Sequence, residues 1–168
     1  VDPSILLASL SDDDDESVLL QQDEGIVSVV YQKSNSKVKT YESDEFPSIP
    51  KPIPEEKIEL HSSELKGLID SVLYAAAVSE VKPEIASIYL YKKESNLVAV
   101  ATDSFRLAEK KIQMIDANKT FSEKLLPVRI ARTLVKVLGT IDEVVTVGCT
   151  ETQIMITAQD IVIVMSTL

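Results

Sequence analysis

The chain has 168 residues, 45% of them hydrophobic, which is enough apolar material for one full domain and part of another. Its single cysteine, Cys149, excludes an internal disulfide, its single histidine, His61, excludes a zinc cluster, and no apolar run approaches the roughly 20 residues that cross a bilayer. The net charge of −10 is concentrated at the front, where residues 1–60 carry 14 acids against 5 bases, while residues 61–168 carry 13 against 12.

In chain order, Pro3 to Leu10 reads as the tail of a helix. Asp12 to Glu16, five consecutive acids, reads as a solvated loop that would repel a DNA backbone. Strands are expected at Ser17–Gln22, Ile26–Gln32 and Lys37–Tyr41, with Asp23-Glu24-Gly25 and Ser34-Asn35-Ser36 as the turns between them. Pro47, Pro50, Pro52 and Pro54 then disfavour both helix and central strand. The domain boundary is placed there, with one unit at 1–46, a Pro-rich linker at 47–56 and a domain at 57–168.

That domain opens with a short strand at Lys57–Leu60 and a helix for which Ser62 is the expected N-cap and Glu64 a favourable first-turn acid. Leu65, Leu68, Ile69, Val72, Leu73 and Ala76 recur at helical spacing and form one apolar face. Strands follow at Ile85–Lys92, Leu97–Thr102 and Arg106–Met114. The order then repeats, with a strand at Glu123–Leu126, a helix from Val128 to Leu138 started by Pro127 and ended by Gly139, and strands at Val144–Cys149, Gln153–Thr157 and Ile161–Met165. A strand, a helix and three strands, twice over, predicts an α+β domain with its two helices side by side and two outer sheets related by a pseudo-two-fold.

Two places carry chemistry. The predicted helix at 128–138 places Arg129, Arg132, Thr133 and Lys136 on its polar face with no acid among them, a pattern that suits a phosphate-facing surface. Lys66, on the other helix, is expected to be partly paired with Asp70 at i+4. The second place is the run Val98-Ala99-Val100-Ala101-Thr102-Asp103-Ser104-Phe105-Arg106-Leu107-Ala108, which reads as strand, tight corner, strand. There Asp103 and Arg106 either pin the corner as a pair or Asp103 serves, with Arg106 or with Lys110, in an active site. The sequence assembles no nucleophile, base and stabiliser for the latter.

This run resembles the Ala-Thr-Asp-X-aromatic-or-His-Arg-Leu-Ala motif of the bacterial sliding clamps, the beta subunits of DNA polymerase III. Glu45-Phe46-Pro47 resembles the end of the clamp's first domain, Lys82-Pro83 with Ile85 to Leu90 the strand before the motif, and Leu125-Leu126-Pro127 the entry to the second half of the middle domain. The resemblance implies the processivity-fold architecture, with helices inside and sheets outside. It also implies a homodimeric ring around duplex DNA, read without sequence preference, that tethers polymerase III subunits, the clamp loader and repair proteins through short clamp-binding peptides. No catalysis, cofactor, metal or membrane is implied, and the expected location is the cytoplasm, at the nucleoid. Residues 1–46 would be the C-terminal half of the first domain and 57–168 the middle domain. With Val1 in first position and no last domain, a fragment is expected.

Carried over residue by residue, the peptide cleft would comprise Ile85, on the strand preceding the motif, with Thr102, Ser104, Phe105, Arg106 and Leu107. The DNA-facing set would be Arg129, Arg132 and Lys136, with Lys66. Ser104 and Phe105 stand where many members have Gly and His, which would make the cleft floor bulkier and more apolar. The alternative function is a protein-interaction adaptor that does not touch DNA.

Overall fold

The computed structural model describes residues 3–8, 17–31, 34–41 and 52–168. The chain divides into two compact units, Val1–Pro50 and Lys51–Leu168. Leu10, the acidic run Asp12–Glu16 and the segment holding Glu45-Phe46-Pro47 and Pro50 lie outside the described residues.

The first unit holds a short helix α1 (Pro3–Ala8) and an antiparallel sheet of β1 (Leu19–Asp23), β2 (Ile26–Tyr31) and β3 (Ser34–Lys39) in that order. The first turn is the expected one. Asp23 pairs with Ile26, the Asp23 carboxylate accepts the Glu24 N–H at 3.0 Å, and Gly25 takes φ +75°, a conformation that favours glycine. The Ser34-Asn35-Ser36 segment, expected as the second turn, belongs instead to β3, where Ser34 pairs with Tyr31. Turn-forming side chains give way here to a continuous backbone ladder.

The second unit contains β4 (Glu56–His61), α2 (Ser62–Leu73), β5 (Ser87–Lys93), β6 (Asn96–Thr102), β7 (Leu107–Gln113), β8 (Lys124–Pro127), α3 (Val128–Leu138), β9 (Val144–Cys149), β10 (Gln153–Ala158) and β11 (Ile161–Ser166). Two four-stranded antiparallel sheets result, ordered β7-β6-β5-β8 and β11-β10-β9-β4. The repeat is therefore interlocked in a way its linear order does not announce. β4 leaves its own helix and meander to pair with β9, and β8 crosses back to pair with β5.

Helices α2 and α3 lie against each other, and one apolar core joins them to both sheets. Leu65, Leu68, Ile69 and Val72 of α2 meet Ala131, Leu134 and Leu138 of α3 in it, with Ile88, Leu90, Leu97 and Leu126 from one sheet and Val145, Val147, Ile154 and Ile156 from the other. Burying each such side chain contributes about 1.5–3 kcal/mol relative to exposure.

Two local details correct the expectations from sequence. His61, not Ser62, is the N-cap of α2, and it makes no side-chain capping bond. Ser62 is instead fully buried, and its hydroxyl donates to the Ile141 carbonyl at 2.6 Å, since a hydroxyl drawn into a core needs a partner. Ile85 does not lie on a strand but in the turn before β5, where its carbonyl accepts the Ala77 N–H at 2.9 Å. Cys149 is a core residue, with its thiol pushed up to about 12 by burial. Beside it, Gly148 admits the close approach of Pro54, whose ring would lie 2.6 Å from any Cβ placed there.

Candidate functional site

The corner between β6 and β7 is built almost entirely by its own side chains. Thr102 pairs with Leu107 at the last rung of the ladder, leaving Asp103 to Arg106 to reverse the chain. The Asp103 N–H donates to the Arg106 carbonyl at 3.4 Å, and Ser104 sits at φ +77°, a left-handed conformation that suits glycine. Serine is held there by a dense set of straps. Thr102 Oγ1 donates to the Arg106 carbonyl at 2.7 Å and accepts the Ser104 N–H at 3.1 Å. Asp103 Oδ1 accepts the N–H groups of Phe105 and Arg106, each at 3.0 Å, while Oδ2 meets Arg106 Nε at 3.0 Å.

These bonds decide the role of Asp103. Its carboxyl is held below the ordinary aspartate range, first by the Phe105 amide and then by the Arg106 amide and guanidinium. A carboxylate saturated in this way fixes a shape. The pair is not buried, for the Arg106 side chain is 54% exposed.

The corner presents its apolar residues to the outside. Phe105 is 97% exposed and Leu107 66%, whereas Ile85 is half-buried and Thr102 likewise. Nearby in sequence to Ile85, Val78 and Val81 also stand exposed. Missed by motif reasoning was Tyr74, the C-cap residue of α2, whose ring lies under the Arg106 guanidinium, 5.9 Å from its central carbon. Its signal in the sequence is slight: an aromatic one residue past the end of an amphipathic helix.

On α3, Arg129, Arg132, Thr133 and Lys136 are all exposed, while Val128, Ala131, Leu134 and Leu138 are buried. The helix thus shows solvent a polar face whose only charges are positive. Lys66 departs from expectation. Among the described residues no ion pair joins it to Asp70. Its Nζ lies instead over the end of α3, 3.4 Å from where a Cβ on Gly139 would be, where the negative end of the helix dipole attracts a cation.

Lys124, which belongs to no motif in the sequence, is buried at the start of β8, and its Nζ donates to the Glu151 carbonyl at 3.1 Å. It lines a polar cavity of about 390 Å³ with Glu56, Ser122 and Cys149 among others. There the Glu56 carboxylate accepts the Ser122 N–H, and the Cys149 thiol stays protonated at neutral pH, so Cys149 is not an activated nucleophile.

A family model described as DNA polymerase III beta subunit, central domain, matches residues 59–168, a stretch that contains α2, the strapped corner and α3. The chain belongs to this family. It is 28% identical over 120 residues to the beta sliding clamp of Bacillus subtilis, a match covering 71% of this chain and 32% of the relative. Among solved structures, the DNA polymerase sliding clamp from Bacillus subtilis superposes with a TM-score of 0.77 at 26% identity, covering 90% of this chain and 40% of the other. A DnaN sliding clamp from Bartonella birtlesii bound to griselimycin superposes with a TM-score of 0.87 at 23% identity, covering 99% and 46%. The clamp architecture, with paired helices and two antiparallel sheets, is thus that of this chain. The chain spans about a third of the length of the curated relatives it matches.

Proposed function

We propose that this chain serves as part of a DNA sliding clamp, a non-catalytic processivity factor that encircles duplex DNA as a homodimeric ring and tethers polymerase III subunits and the clamp loader. Residues 57–168 would supply the middle domain and residues 1–46 the C-terminal half of the first, and the protein would act in the cell interior at the nucleoid. The observation that carries this is the all-basic exposed face of α3, set in a domain of the beta-subunit family whose net charge is close to zero. Long basic side chains meeting phosphates loosely attract duplex without reading bases and still permit sliding. Lys66, at the end of the same helix, extends that face.

The partner cleft would comprise Ile85, Thr102, Ser104, Phe105, Arg106 and Leu107. Exposed Phe105 and Leu107 beside a rigid corner offer an apolar anchor for a short peptide, and micromolar affinity, about −8 kcal/mol, is the expected scale in the complete protein. Griselimycin, which the Bartonella clamp binds, serves as a test compound: if it seats in the cleft proposed here, Leu107→Asp should abolish its binding.

The deciding experiment concerns DNA. In the assembled ring, replacing Arg129, Arg132 and Lys136 by Ala should lower the slope of log K against log salt by up to about 0.9 for each phosphate no longer neutralised, with little effect on folding. An unchanged slope would remove α3 from the DNA surface, and a protein showing no salt-dependent duplex binding at all would be an adaptor.

A further inference from the structure

Arg106 is oriented from two sides. Asp103 Oδ2 takes its Nε–H at 3.0 Å, and the Tyr74 ring lies 5.9 Å from its guanidinium carbon. The ring is not held there by the core, because Tyr74 is 64% exposed. A guanidinium is a fork of N–H donors, of which Asp103 engages only the one on Nε. Among the described residues no other group pairs with the terminal N–H groups, which stay available on a half-exposed side chain, and Arg106 is the only cation between Thr102 and Leu107.

We propose that Tyr74 is a positioning residue of the peptide cleft, its ring holding the Arg106 fork so that the terminal N–H groups meet a carboxylate on the partner peptide. This rests on the cleft reading above. The peptide it fits carries an acidic residue close to a leucine or aromatic side chain, the latter packing on Leu107 and Phe105. A basic partner would meet Arg106 with like charge, and a wholly apolar one would leave the fork without an acceptor.

The test uses a short synthetic peptide containing aspartate, leucine and phenylalanine, and its twin with asparagine for aspartate, titrated against the protein by NMR or fluorescence polarisation. The twin should bind about tenfold more weakly. Tyr74→Leu, which keeps apolar bulk and loses the π face, should weaken binding of the aspartate peptide roughly two- to fivefold, and Tyr74→Phe should restore it. In an Arg106→Ala background Tyr74→Leu should cost nothing further, which a purely structural role would not produce. Wild-type affinity in Tyr74→Leu, or equal binding of the two peptides, overturns the proposal while Leu107→Asp still abolishes binding. Full binding by Leu107→Asp overturns the cleft reading itself.

Discussion

The two sheets of the second unit reverse direction at the same topological point in two different ways. Between β10 and β11 the ladder runs to Ala158 and Ile161 and turns on Gln159 and Asp160 alone. Between β6 and β7 it stops at Thr102 and Leu107, and four residues make the turn with a positive-φ serine, a fully exposed phenylalanine and a carboxylate serving three donors. The first turn only connects strands. The second is strapped by its own side chains, and under the cleft proposed above this difference would mark which half of a near-symmetric domain carries the partner surface. The helices diverge likewise, since α2 mixes Glu64, Lys66 and Asp70 on its polar side while α3 shows bases only.

The equivalence of the halves is tested most strongly in the core. Leu68→Ala and Leu134→Ala, which empty matching positions on α2 and α3, should each lose about 2–5 kcal/mol in urea unfolding, with one shared transition. Two separate transitions would show that the halves are not one cooperative unit.

A smaller effect separates the turns. The depressed carboxyl of Asp103 contributes stability that is present above the unfolded aspartate value near pH 3.9 and is lost as pH falls through the lower folded value. Asp103→Asn should therefore flatten the acid limb of the stability profile below about pH 4. Acid titrations of unfolding free energy for the unaltered chain and the variant check this.

The subtlest test is one of sign. Ser104→Gly should stabilise by about 1 kcal/mol because glycine occupies φ +77° without a Cβ clash, whereas Gln159→Gly, at ordinary φ, should destabilise by about 0.4–1 kcal/mol. Thermal midpoints suffice to see it. Loss of stability in Ser104→Gly would mean that the straps of Thr102 and Asp103 already remove the strain.

Periodicity made most of the fold legible. The apolar stripe of α2, the bounds of α3 and all three strands after it follow from spacing and from Pro127 and Gly139. The exchange of β4 and β8 was not legible, because sequence order shows which elements exist but not which of two similar partners each strand prefers. Ser62 misled because a serine before an apolar helix looks alike whether its hydroxyl caps the helix or satisfies a distant carbonyl. The corner itself was visible in Thr102, Asp103 and Arg106. Tyr74 was not, since its relation to Arg106 exists only once α2 is laid beside β7.

The exchanged strands also set an order of events. Glu56 must await Cys149 before their ladder can close, so β4, emerging early from the ribosome, stays unpaired through the synthesis of almost the whole domain. Such non-local pairing slows folding and leaves an apolar strand exposed to wrong partners. Ile58 and Leu60, alternating with Lys57 and Glu59, are the residues at risk in that interval, and the charged neighbours between them are what keep the waiting strand soluble.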